Sequence, residues 1–416
     1  MKKYSSVLIF LFCICIVAVL IKIPTGFEGA LQFKDAEKCR VLVEEADNSR
    51  LIDTGLIRSG QQICRVKILS GKFKGQQAEG WNMLGGSLSQ DKLFRSGDKV
   101  QAIIHYGEGE NGTEFYSVNL IDYYRLNWEL ILAVAFGVFL IAFAGTTGIR
   151  SIFSFAITIL VLWKVLVPLY LNGVNPILTG ILVVGIMTFV ILALVYGFDR
   201  RLVSSFSGSM LGIIFAAFLS IIFTKFFHIH GAVMANSEAL LYSGFQDLNL
   251  TQIFMASVFI GASGSVMDLS VDITSAVNEV VKTAGEKGIK ISRREAVKSG
   301  IAVARAAMGT MTTTLLLAYS GTCIALLMTF MAQGTPVYNI LNNNIVSAEI
   351  INTIAGSFGL AMTRLLPPLL QEPYLRNSPN VEFEKFTKKQ PSGSPCLKKS
   401  VRPSVVTIFF HVRACL

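Results

Sequence analysis

The sequence predicts a membrane α-helical bundle of about eight transmembrane helices, with a small extracytoplasmic all-β domain after the first helix. Apolar residues make up 52% of the 416 residues and charged residues only 15%, whereas about a quarter are charged in soluble domains. The mean hydropathy of +0.56 agrees. We attribute the net charge of +10 to Lys and Arg in cytoplasmic loops rather than to nucleic-acid binding.

The first segment, residues 1–23, is predicted to be a signal-anchor helix with its amino end in the cytoplasm. Lys2 and Lys3 precede an apolar run over residues 7–23. A cleaved signal peptide is the alternative, but no small-residue cleavage site follows the run, which favours the anchor.

Residues 24–125 are predicted to form the β-rich domain. Apolar runs of strand length lie at 39–43, 63–69, 100–106 and 115–121, and turn sequences separate them. About five short strands indicate a barrel or sandwich. Trp81 and Tyr106 are either core residues, the favoured interpretation, or parts of a binding face. Cys39 and Cys64 are either a disulfide or two free thiols, because sequence spacing does not show whether they meet.

Residues 126–371 are predicted to form a seven-helix transmembrane domain. The candidate spans are 128–145, 149–170, 176–196, 202–226, 251–269, 306–331 and 345–370. Lys and Arg occur in the alternate connections at 146–150, 197–201 and 272–298, but not at 171–175, 227–250 or 332–344. The positive-inside rule then places both chain ends in the cytoplasm and the β-rich domain outside. Residues 282–298 are polar enough to form a short cytoplasmic helical segment, in which Ser292 and Glu295 make a capping-box pattern.

Residues 372–416 form a cytoplasmic tail that we expect to be disordered, because Pro, Ser and Lys punctuate it. Its mixed character suggests a frameshift or a divergent end, and no function is assigned to it.

The candidate site lies at the end of the apolar run over 251–269. Ser265, Asp268 and Asp272 fall on one helix face by their spacing, and Ser275 and Glu279 extend it. A carboxylate at membrane depth needs a partner, a proton or water, so these positions are candidates for binding a proton, cation or solute. The small residues before them would suit an interrupted helix. In the alternative, the helix ends near Gly264 and both acids lie at the wet cytoplasmic edge.

Thr310 and Thr314 are further candidates on the next predicted span. Small and hydroxylated residues mediate helix packing in lipid, which is the favoured interpretation. Alternatively, these hydroxyls complete the acidic site. Arg305 either pairs with Asp272 or marks the cytoplasmic boundary.

Three stretches resemble the YibE/F-like family of bacterial multi-pass membrane proteins. They are GASGSVMDLSVDITSAVNEV from Gly261, MGTMTTTLLLAYSG from Met308 and NNNIVSAEIINTIAGSFGL from Asn342. The segment SGKFKGQ at 70–76 is similar as well. The resemblance implies a protein of the bacterial cell membrane but implies no established activity.

The favoured function is a transporter or permease-like protein with a proton- or cation-linked acidic site. The alternative is a membrane-anchored sensor or assembly component. An enzyme is not expected, because no nucleophile–base pair, metal-ligand cluster or nucleotide-binding loop is apparent, and no cofactor is expected. The expected partners are the lipid bilayer, a proton, cation or small solute, and a second copy or a membrane partner; nucleic acid is not expected.

Overall fold

The computed structural model describes residues 14–27, 36–109, 112–288, 291–363 and 381–382. Within these ranges the chain forms a β-barrel-like domain followed by a bundle of helices. The start of the predicted first helix, the end of the predicted last span and nearly all of the predicted tail lie outside the described residues.

Six strands form one sheet in the first part of the chain. They are β1 Ala36–Asp47, β2 Leu51–Asp53, β3 Arg58–Ile68, β4 Gln77–Gly85, β5 Lys99–Gly109 and β6 Gly112–Tyr123. The order is β1-β5-β6-β4-β3-β2, and an additional β1–β3 pairing closes the five longer strands into a barrel. Because β4 and β6 are parallel and the other neighbours are antiparallel, the barrel has the strand order of an OB-fold.

The barrel core consists of the inward residues of alternating strands. In β4 every second side chain is buried, as expected for a strand with one face on a core. Tyr106 packs against this core, and its ring lies 5.8 Å from that of Phe73. Trp81 does not, because it points outward from β4 and is 41% exposed. The core interpretation is therefore wrong for Trp81, whose neighbours Gly80 and Asn82 occupy the inward positions.

Cys39 and Cys64 are both buried and both free. The register places Ala102 opposite Cys39 and Ala46 opposite Cys64, so the two cysteines do not face each other in the barrel wall. Burial raises the pKa of each thiol to about 11. The structure therefore supports two unreactive packing thiols over a disulfide.

The helices are α1 (residues 14–22), α2 Leu126–Val161, α3 Val167–Leu171, α4 Pro176–Tyr196, α5 Arg200–Phe226, α6 Ser237–Tyr242, α7 Leu250–Glu286, α8 Arg293–Thr322, α9 Ile324–Ala332, α10 Val337–Leu341 and α11 Asn344–Thr363. A π-helical turn, Leu162–Leu166, joins α2 to α3. Among the described residues, six helical segments are long and apolar enough to cross a membrane.

The first of these six segments, Leu126–Leu171, has 46 residues, although about 20 suffice to cross a bilayer. Gly145 breaks it with φ 55° and ψ −126°. A Cβ atom at Gly137 would lie 3.7 Å from Cδ1 of Ile152, although a continuous helix would separate these residues by about 22 Å. The chain therefore reverses at Gly145, between the predicted spans 128–145 and 149–170.

Two predicted boundaries are wrong. Residues 272–298 were predicted as a cytoplasmic connection with a short separate helix at 282–298. They instead contain the end of α7, which continues to Glu286, and the start of α8 at Arg293. The predicted span 306–331 is divided at Cys323, where α8 ends and α9 begins. The capping box of Ser292 and Glu295 is confirmed at the start of α8.

Helices α5, α7 and α11 meet at a close three-way contact. No side chain separates Gly212 of α5 from Gly359 of α11, so the two backbones are in contact. A Cβ atom at Gly359 would lie 2.9 Å from the carbonyl oxygen of Gly212. Small residues at such crossings allow close approach in membrane bundles. At the edge, Leu20 of α1 packs with Ile157 and Leu194, so the described part of the first helix belongs to the bundle.

Candidate functional site

The candidate site is carried by α7, which is one uninterrupted helix of 37 residues. Its first turn is capped by Asn249, whose side chain accepts a hydrogen bond from the backbone N–H of Gln252 at 3.0 Å. At 1.5 Å per residue α7 is about 55 Å long, longer than the bilayer core of about 30 Å. The predicted interruption over residues 261–265 is therefore wrong, as is the alternative in which the helix ends near Gly264.

The predicted stripe lies on one face of α7. Asp268, Asp272, Ser275 and Glu279 are exposed and Ser265 is half-buried. The intervening positions are buried against α4, α5, α8 and α11; they are Val266, Leu269, Ser270, Ile273, Thr274 and Val277. Burial of the apolar face thus fixes the direction in which the two carboxylates project.

Hydrogen bonds to neighbouring helices give the level of each acid along α7. The Tyr196 hydroxyl, at the end of α4, donates to the carbonyl oxygen of Val271 at 2.9 Å and lies 3.0 Å from Ser275 Oγ. Near the start of α5, Ser205 Oγ donates to Thr274 Oγ1 at 2.9 Å. Asp272 is therefore level with the turn that joins α4 to α5.

Asp268 lies one helical turn, about 6 Å, further into the bundle. Beyond Asp268, the same face of α7 carries Gly264 and Gly261. A Cβ atom at Gly264 would meet no atom within 4 Å. The Tyr319 hydroxyl of α8 lies directly against Gly261. The two glycines thus leave this face of α7 uncovered between the acids and this hydroxyl. We call the uncovered face from Asp272 to Gly261, which lies between Tyr196 of α4 and Tyr319 of α8, the groove.

A further carboxylate, Glu349 of α11, lies near the Tyr319 end of this groove, because it bonds to Thr322, three residues after Tyr319 on α8. Its Oε1 accepts a hydrogen bond from Thr322 Oγ1 at 3.2 Å, and its Oε2 accepts one from Asn352 Nδ2 at 3.0 Å. Thr322 is the last residue of α8, next to the break at Cys323. The helix interruption that the sequence suggested for α7 therefore occurs in α8, beside an acid.

Glu349 was not among the site residues predicted from the sequence, although the signal was present. It is an acidic residue inside an apolar stretch that also resembles a known family, and such residues are functional candidates by default. The parallel packing of α11 on α7 brings Gly356 against Ala262, which puts Glu349 about 20 Å along the bundle from Asp268. Glu349 is therefore near the Tyr319 end of the groove, and the two aspartates lie at its other end.

The hydroxyls of Thr310 and Thr314 are not brought to the carboxylates. Thr310 Oγ1 donates to the Ala307 carbonyl at 2.9 Å, and Thr314 Oγ1 donates to the Thr310 carbonyl at 3.0 Å. Both side chains are exposed, and each is one residue away from the positions of α8 that pack on α7, Met311 and Leu315. Their predicted part in the site, whether packing or binding, stays a prediction.

Within the described ranges, no ion pair joins Arg305 to Asp272, and no group of three or more potential metal ligands occurs. The acidic groove nevertheless has the groups that a monovalent cation or a proton requires. It offers carboxylate oxygens at or near each end and hydroxyl oxygens between them.

Comparison with known proteins bears on the helical part of the chain. Neither a curated protein nor a solved structure shows a significant match. The profile of the YibE/F-like protein family matches residues 132–369, which include Asp268, Asp272 and Glu349 but not the barrel. Since this match covers more than half of the 416 residues, the chain belongs to the YibE/F-like family of proteins.

Proposed function

We propose that the protein is a transporter or permease-like protein that moves a cation, or a small solute coupled to protons, along the groove of α7. The observation that carries this proposal is the arrangement of Asp268, Asp272 and Glu349 at or near the ends of one groove with glycines between them. Carboxylates at membrane depth are expensive, and proteins place them on substrate or ion pathways. Such a protein moves its solute without a chemical step, so it is not an enzyme.

The proposed topology has eight spans in a bacterial cell membrane. They are α1, the two halves of the run broken at Gly145, and α4, α5, α7, α8 and α11. The basic connections between α4 and α5 and between α7 and α8 support a cytoplasmic position for the Asp272 end. The barrel and Glu349 then lie on the outer side. A second copy of the chain is the proposed partner, since α8 leaves polar positions uncovered.

Water accessibility along the groove tests the proposal without knowledge of the solute. Single cysteines replace Asp268, Asp272 and Glu279 in an otherwise cysteine-free full-length chain, and an impermeant thiol reagent is applied from each side. Cysteine at Leu182, an exposed apolar position of α4, serves as the lipid-facing control. We expect residue 279 to react fast, residue 268 to react slowly, and residue 182 to remain unlabelled.

Two results would reject the groove. If residue 268 resembles residue 182, it faces lipid; if it reacts as fast as residue 279 from the cytoplasm alone, it lies at a wet edge. A flux assay follows in proteoliposomes that contain a pH-sensitive dye. Asp268→Asn should abolish cation-dependent proton movement, whereas Glu279→Gln, which neutralises an acid on the same face outside the groove, should preserve it.

A second candidate function is a membrane-anchored sensor or assembly component. It is favoured by the outer face of the barrel, where Trp81 and Met83 are exposed next to each other on β4. In that case Asp268→Asn would leave the cellular function of the protein intact, whereas substitution of Trp81 and Met83 would abolish it.

A further inference from the structure

The strands of the barrel end in two sets, and one set lies at the point where the chain continues from β6 into α2. β1 ends, β3 begins, β4 ends, β5 begins and β6 ends at the same end of the barrel, as the pairs Ser59–Gly85 and Val100–Tyr123 require. We call it the helix-side end, because α2 starts at Leu126, directly after β6. It comprises the loops 48–57, which contains the short strand β2, and 86–98 together with residues 122–125.

The loop 86–98 is fixed to the start of α2. Lys92 Nζ lies 3.2 Å from Asp122 Oδ2, and Arg125 Nη1 lies 2.9 Å from Asp122 Oδ1. The Tyr123 hydroxyl donates to the Leu93 carbonyl at 2.9 Å. Because Arg125 is the residue before the helix, these contacts hold the loop beside the point at which the chain enters the bundle.

The same loops project large apolar side chains into the surroundings. Leu56, at the tip of loop 48–57, is 77% exposed, and Leu88 in loop 86–98 is 72% exposed. Between them lies Ile57, which approaches Gly86, where a Cβ would be 3.4 Å from Ile57 Cδ1. The two loops thus form one apolar surface, and exposure of this surface to water is unfavourable.

The charges around this surface suit lipid headgroups. Its carboxylates are already engaged: Asp53 accepts from Arg58 Nε at 2.7 Å, and Asp91 accepts from the backbone N–H groups of Gly85 and Ser87. Asp122 is held by the two basic side chains named above. Because Lys92 and Arg125 share the single carboxylate of Asp122, these two cations and one anion carry a net charge of +1 on the side of α2, where phosphate groups of a leaflet would lie.

We propose that the helix-side end of the barrel rests on the outer leaflet of the bilayer, with Leu56 and Leu88 inserted among the lipids. The occupant is the lipid surface rather than another protein, because the chain itself places this end beside a membrane-spanning helix. Exposed leucines flanked by cations bind an interface by burial of apolar area together with attraction to phosphate. This docking would hold the barrel in one orientation over the bundle, whatever the bundle transports.

The test uses the full-length chain in lipid nanodiscs. An environment-sensitive fluorophore is attached to cysteine at Leu56, at Leu88 or, as the control, at Lys74 in the loop at the opposite end of the barrel. Cysteines outside the barrel are removed; Cys39 and Cys64 stay, because they are buried, and their resistance to labelling reports that the barrel is folded.

We expect emission from residues 56 and 88 to shift to the blue and to be quenched when brominated lipids replace ordinary ones, whereas residue 74 changes in neither respect. Unquenched, water-like emission from 56 and 88 in a folded barrel would overturn the proposal. So would blue-shifted emission that brominated lipids do not quench, because that result identifies a protein surface as the occupant.

Discussion

The contact between Gly212 of α5 and its neighbours allows a quantitative prediction for the variant Gly212→Ala. The new methyl group would lie 2.7 Å from the carbonyl oxygen of Gly359 and 2.7 Å from Cγ1 of Val266, and it would also collide with Oγ1 of Thr363. A backbone oxygen and a β-branched side chain cannot rotate away. The three helices must therefore separate, although α5, α7 and α11 form the centre of the bundle.

The free energy change combines two effects of opposite sign. Overpacking a tight core costs about 1–3 kcal/mol, and we take the upper value because the contacted atoms are rigid. Replacement of glycine by alanine in a helix interior stabilises by about 1 kcal/mol. The difference is a loss of about 2 kcal/mol in the free energy of unfolding, which is roughly a 30-fold change in the folding equilibrium.

The control is Gly309→Ala in α8, where the methyl group would meet no atom within 4 Å. Only the helix-propensity effect operates there, so this variant should be as stable as the parent chain or more so. Thermal unfolding of both purified variants in one detergent, followed by exposure of buried thiols, compares them. If Gly212→Ala melts at or above the temperature of the parent, the close contact of these helices is not present.

Three shorter predictions concern other contacts. Desolvation raises the pKa of Asp122, but hydrogen bonds and ion pairs from its basic neighbours outweigh it and hold the pKa below its usual range. The contribution of Asp122 to the stability of the barrel is therefore complete above about pH 4 and is lost as the pH falls through the lowered pKa. Asp122→Asn should remove this acid-dependent loss of stability, measured with a thiol reagent that is active at low pH. Cys39 and Cys64 should both be alkylated in denatured, unreduced protein, and a mass that shows a disulfide would contradict the register. Tyr196→Phe should cost about 1 kcal/mol, because the hydroxyl bonds α4 to α7; unchanged thermal stability would show that this bond contributes nothing.

The acidic face could be predicted from the sequence because it depends on local periodicity. The spacing of Ser265, Asp268 and Asp272 places them together on any helix that spans them, and α7 confirms that shared face. The length of α7 could not be predicted, because residues 273–286 are polar enough to resemble a connection between two spans. They are helical because Ile273, Val277 and Val281 continue the buried stripe of the helix.

Features that depend on distant contacts were harder to predict. The strands were found from alternation, but closure of the barrel needs the pairing of β1 with β3, and the outward direction of Trp81 follows from that register. Glu349 could have been proposed as an acid in an apolar span. Its connection to Thr322 requires the packing of α11 on α8, which local patterns do not encode.

The reversal at Gly145 has a consequence for biosynthesis of the protein. In the proposed topology both halves of Leu126–Leu171 cross the bilayer, and only a turn of essentially one residue separates them, so insertion of one half requires insertion of the other. We expect the two halves to partition into lipid together, as one helical hairpin, during synthesis. At about 5–20 residues per second, the second half follows the first within a few seconds. Arg150, just past the turn, would then orient both halves at once, so one topological decision would fix two crossings.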